Sequence, residues 1–130
     1  MIPAINWQRA EGGLVLLCGL AIHLHQAEAL PWWAALLIFF APDLSIVGYA
    51  WGARVGAFLY NAVHIYAFGA AFLALGLVAA TPILVTVGAL CMAHAGFDRL
   101  LGYGLKSPEG FSFTHLGRIG KAGQRRPPQA

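Results

Sequence analysis

His94 and Asp98 stand four residues apart in an apolar stretch, so on a helix they share one face. Asn61 and His64, three apart, also share a face, with Tyr60 beside it. Asp43 follows Pro42, which costs a helix one hydrogen bond and is expected to free a carbonyl near residue 38. Two imidazoles and two carboxylates form a plausible nitrogen and oxygen ligand set for zinc, manganese or iron. The same groups could serve as general acid and base. No compact ligand motif such as HExxH is present, and no P-loop, dinucleotide fingerprint or nucleophile elbow occurs.

The chain that must position these groups has 130 residues, enough for one domain and not for two. It is 59% hydrophobic and 10% charged, whereas soluble domains average about 45–50% apolar and about 25% charged residues. Lipid is the natural place for the excess apolar surface. The net charge of +3 is no nucleic-acid footprint, because most of the basic residues (Lys106, Arg118, Lys121, Arg125 and Arg126 among them) follow the last apolar segment and no basic stripe is interleaved with stacking aromatics. Nucleic acid is therefore not an expected partner. Cys18 and Cys91 each lie inside an apolar run, with no spacing for zinc, haem or a disulfide framework, and read as small buried hydrophobes.

The expected fold class is all-α: a polytopic membrane protein of four transmembrane helices in a compact bundle, followed by a short cytoplasmic tail. The spans are expected at about residues 11–29, 32–51, 55–80 and 83–105, each long enough for a bilayer and too uniformly apolar for a barrel strand. Together they form a single membrane domain over 1–120. Trp32 and Trp33 open the second span and Tyr49 and Trp51 close it, as suits an interface. Thr81-Pro82 predicts a tight connection with proline in the first turn of the last helix. Residues 106–130 are polar and rich in glycine and proline, and the basic end over 121–130 is expected to be disordered. Gly48, Gly52 and Gly56 straddle the turn containing Arg54, so a tight connection is expected there rather than a packing face. His23 and His25 point apart on a helix and read as interfacial residues.

Charge asymmetry orients the bundle. Arg9, Arg54, Lys106, Arg118, Lys121, Arg125 and Arg126 fall on one side, and the two opposite loops hold no Lys or Arg. Both termini are then cytoplasmic. Arg99 lies near the cytoplasmic end of the last span and could snorkel. A rival reading takes the first apolar core with Ala27-Glu28-Ala29 as a cleaved signal peptide, against which Glu11 counts.

Counted from the cytoplasmic edge at about 1.5 Å per residue, Asp43 lies about 12 Å before Trp51, Asn61 and His64 about 9–14 Å past Val55, and His94 and Asp98 about 16 and 10 Å before Leu105. Glu11 marks the start of the first span. Ionisable groups cost roughly 2.5–3.5 kcal/mol each at the centre of a bilayer, so their gathering in one half predicts a polar cavity facing the cytoplasm. Three readings compete for it: a packing network in which Arg54 or Arg99 neutralises Asp43 and Asp98, a metal site, or a path for protons or a solute.

Three stretches, FFAPDLSIVGYAWGARVGAFLYNAVHIYA, AHAGFDRLLGYGLKSPEGF and THLGRIG, together resemble domain-of-unknown-function family 4260, small bacterial membrane proteins with no assigned activity. The resemblance runs from about Arg9 to Gly120. Carried over residue by residue, it singles out Glu11, Asp43, Tyr49, Arg54, Tyr60, Asn61 and His64, then His94, Asp98, Arg99, Tyr103, Lys106, His115 and Arg118. It implies that His115 and Arg118 belong with the intramembrane set. The tail bearing THLGR would then fold back over the cytoplasmic mouth, with His115 as a further ligand or proton carrier.

The resulting expectation is a small membrane-embedded enzyme or binding protein. His64, His94, Asp98 and Asp43 would hold a metal or act as general acid and base. Asn61, Tyr60, Arg54, Arg99, His115 and Arg118 would bind a substrate. The one candidate cofactor is a divalent metal ion, and the partners are the lipid bilayer, further copies of the chain in a homo-oligomer, and an unidentified small molecule or ion. The alternative is a non-catalytic small transporter or accessory subunit.

Overall fold

The computed structural model describes residues 1–119. The expected disordered segment 121–130, with Lys121, Arg125 and Arg126, lies outside the described residues. The chain is mostly helical, with α1 (Ala4–His25), α2 (Trp32–Phe40), α3 (Ala53–His64), α4 (Tyr66–Val78) and α5 (Pro82–Leu101). Short strands β1 (Lys106–Ser107), β2 (Gly110–Thr114) and β3 (Gly117–Arg118) follow. Two helical stretches, Trp32–Trp51 and Pro82–Leu101, are long and apolar enough to cross a membrane, and α3 with α4 makes a third if that bent pair counts as one span. By the same measure α1, at 22 residues, is long enough but too polar.

α5 is the central element and carries most of the buried hydrophobic residues, among them Val85, Ala89, Leu90, Ala93 and Ala95. Small residues let its neighbours come close. A Cβ on Gly88 would run into the backbone of Gly69 and Leu73 in α4, and one on Gly96 into that of Gly12 in α1. Such close approach maximises van der Waals contact between the helices. α1 runs antiparallel to α5, tied at one end by Arg9 Nε donating to Leu100 O (2.9 Å) and at the other by His23 Nδ1 and Thr86 Oγ1 (2.6 Å). His23 is therefore a helix-to-helix contact rather than a free interfacial residue.

Proline starts α5 at Pro82, as expected. The helix ends at Leu101, earlier than the expected residue 105. Gly102 takes the left-handed conformation (φ 91°), so the amides of Gly102 and Tyr103 turn back onto the carbonyls of Arg99 and Asp98.

Both outer partners are interrupted. α2 tightens at Ala41 into a 3-10 helix that runs to Trp51 and contains Pro42 and Asp43. The carbonyl of Ile38, expected to be freed by Pro42, accepts from the amide of Ala41 in the tighter winding. Gly52 (φ 110°) makes the turn into α3, and Gly48 packs across it against Gly56 and Leu59. The triplet is thus a turn and a packing contact at once. α3 and α4 meet at an extended Ile65 with a 43° bend.

The segment after α5 departs from the all-α expectation. It forms an antiparallel sheet in the order β1-β2-β3, with Lys106 opposite Thr114 and Phe113 opposite Arg118. The alternating Gly110-Phe111-Ser112-Phe113-Thr114 supplies the strand pattern, and Pro108-Glu109 the turn before it. Asn61 anchors this strap to α3: its amide donates to Lys106 O (2.8 Å) and its carbonyl accepts from Lys106 N (2.7 Å).

Candidate metal centre

Four side chains from three elements meet at one point. α5 supplies His94 and Asp98 one turn apart, the last residue of α3 supplies His64, and the 3-10 segment supplies Asp43. One ligand atom from each lies within 4.8 Å of all the others. His94 Nε2 is 3.1 Å from Asp43 Oδ1, 3.2 Å from His64 Nε2 and 3.6 Å from Asp98 Oδ2. His64 Nε2 is 3.4 Å from Asp43 Oδ1 and 3.5 Å from Asp98 Oδ2.

The side chains of His64, His94 and Asp98 are 0%, 1% and 11% exposed, whereas that of Asp43 is 42% exposed. Asp43 therefore forms the open side. His64 is held on two sides: its ring stacks on Tyr60 (centroids 3.7 Å apart) and its Nδ1 donates to the Tyr60 carbonyl at 2.7 Å. A carbonyl only accepts, so Nδ1 carries the proton and Nε2 of the neutral ring presents a lone pair to the cluster. Tyr60 also donates its hydroxyl to Asp98 Oδ2 (3.1 Å). His94 lies against Phe39 and Phe40, and its Nδ1 is buried without a hydrogen-bond partner among the described residues.

The remaining expected site residues take other places. Arg99 makes no ion pair with Asp43 or Asp98 and donates to the carbonyls of His64 (3.1 Å) and Tyr103 (3.3 Å). It thereby satisfies the α3 carbonyl that the break at Ile65 leaves without a helical partner. Asn61 serves the strap. Arg54 is exposed near the start of α3. Arg118 lies over the Phe113 ring, 4.2 Å from its centroid. His115 accepts from the Leu105 amide (2.8 Å) and lines a small cavity with Gln8, Glu11, Tyr66 and Arg99. Burial, helped by the Arg99 charge, lowers its pKa.

The strap does reach toward the centre, through Lys106. Its ammonium sits 5.0 Å from the Tyr60 ring centroid and 3.8 Å from that of Phe111. Burial pulls its pKa down against the opposing pull of Asp98 and Asp43. Charge counting had treated Lys106 only as a topology marker, and the family resemblance alone singled it out.

No curated protein and no solved structure matches the chain significantly. A family model does match, over residues 5–119, and the chain accordingly belongs to the family described as domain of unknown function (DUF4260).

Proposed function

We propose that Asp43, His64, His94 and Asp98 hold one divalent metal ion, zinc being the best fit, and that the ion acts on a ligand rather than only stapling helices. The carrying observation is that each Nε2 of the two imidazoles stands 3.1–3.6 Å from the other imidazole and from both carboxylates, with all four ligand atoms within 4.8 Å of one another. Ligands about 2.0–2.1 Å from a tetrahedral ion stand roughly 3.3–3.4 Å from one another. Protons alone serve this arrangement poorly. With hydrogens on both Nε2 atoms, two donors face each other at 3.2 Å; with one, the other lone pair is pressed against a carboxylate. A central cation relieves every such contact.

Structural zinc sites are closed, and catalytic ones keep a position open. His64, His94 and Asp98 make a buried three-ligand set. Asp43, on the exposed side, would complete the shell and is the ligand placed to yield its position to an incoming group. The setting we infer is a four-span bundle in a bacterial inner membrane, with both termini and the strap cytoplasmic. The positive-inside count supports it, as does the Arg9 contact that puts the start of α1 beside the end of α5.

A metal-free hydrogen-bonded network is the second reading, favoured by the unpartnered His94 Nδ1. As a bare acceptor that nitrogen costs less than as a buried N–H. Metal analysis of full-length protein purified in detergent separates the two. About one equivalent in the wild type and little in His94→Ala is expected; equally negligible metal in both leaves the network reading standing.

A further inference from the structure

Lys106 is 4% exposed, yet its ammonium meets two aromatic faces and no hydrogen-bond acceptor among the described residues. Its backbone is clamped by both ends of the Asn61 side chain, so the strap delivers this side chain to a fixed place. That place adjoins the centre: the ammonium lies over Tyr60, whose hydroxyl binds Asp98 and whose ring stacks on His64. The stem is buried while the ammonium nitrogen is not sealed from solvent, so an anion can reach it. A largely buried charge without a counter-ion is expensive. The carboxylates of Asp98 and Asp43 offset it from a distance. With a dication between two neutral imidazoles and two carboxylates, the centre is neutral and the charge of Lys106, which unlike Arg99 has no carbonyl to donate to among the described residues, is left uncompensated beside it.

We propose that Lys106 holds a phosphoryl oxyanion that is bound at the same time to the metal centre, so that the ligand of this site carries a phosphate group. The inference rests on the metal reading. Phosphate suits it because a tetrahedral oxyanion has oxygens for both an ion and an ammonium, and lysine binds phosphate as a point charge. The phosphate could come from solution or from a lipid headgroup. An apolar groove of about 290 Å³, lined by Pro42 and Val63 immediately before two ligands and by Phe68 and Phe72, suits the lipid source.

The test loads full-length protein with zinc. It measures binding of inorganic phosphate in detergent, and of phosphatidic acid against phosphatidylcholine vesicles after reconstitution. Lys106→Met, which keeps the packing between the rings, is expected to retain its zinc and to bind phosphate or phosphatidic acid about tenfold more weakly, with Lys106→Arg recovering part of the loss. Dependence confined to phosphatidic acid assigns the lipid source, and dependence on inorganic phosphate the soluble one. If Lys106→Met fails to fold, the wild type still answers: the bound phosphate should slow reductive methylation of Lys106, read by mass spectrometry. Zinc-loaded wild type that binds neither probe overturns the inference alone, as do equal affinities in the folded variant or unprotected methylation. Wild type that takes up no zinc overturns the metal reading and the inference with it.

Discussion

α5 and the α3–α4 pair supply ligands to the same point by opposite means. α5 is unbroken for 20 residues, packs closely through glycine against helices on two sides, and presents His94 and Asp98 one turn apart on a rigid face. The α3–α4 pair is broken at Ile65, and the break itself puts His64 at a helix end, where its carbonyl is left for Arg99. A straight helix alone could not bring a third element's side chain inward at this depth without sacrificing backbone hydrogen bonds. A break held by a charged side chain does so. Regular structure gives precision, and an interruption covered by a neighbour gives reach.

The largest effect is expected where the rigid side of this comparison is attacked. Gly88→Leu forces a side chain into the backbone of Gly69 and Leu73, and should cost about 3 kcal/mol or more, read as a large fall in melting temperature in detergent or as failure to fold. A near-wild-type melt would mean that close packing does not hold α5. On the broken side, Arg99→Met removes the donor to the His64 carbonyl and should cost roughly 2 kcal/mol. Its sharper signature is weaker zinc affinity although no proposed ligand is touched. Unchanged affinity would show that the break positions His64 without Arg99. The smallest effect belongs to the strap: Asn61→Leu deletes both clamps on Lys106, at about 1–2 kcal/mol. It should speed amide exchange at Lys106 and Ser107 while zinc content stays put, and slow exchange there would assign the anchoring to other contacts.

The comparison also explains what could be read from sequence. The convergence of Asp43, His64, His94 and Asp98 was legible because ionisable groups at equal depth in apolar stretches have nowhere else to go. The irregularity at Pro42 announces itself, but the break at Ile65 has no proline or glycine to mark it and depends on a guanidinium thirty-four residues away in sequence. The roles of Arg99 and Asn61 were missed for the same reason. Their partners are backbone carbonyls and amides, which residue types do not reveal. The return of the tail was implied by family resemblance with His115 as its contribution. Instead the Gly102 cap turns the chain so that Lys106, the first strand residue, faces Tyr60, while His115 turns to the Leu105 amide. The span limits and orientation remain a matter of charge and length.

X-ray absorption spectroscopy on zinc-loaded, full-length protein tests the central claim most directly, because it reads the ligand shell itself. The account requires four nitrogen or oxygen neighbours at about 2.0–2.1 Å, with the outer-shell scattering of two imidazoles. A six-coordinate shell of oxygens without imidazole scattering would place the ion elsewhere and contradict the proposed centre.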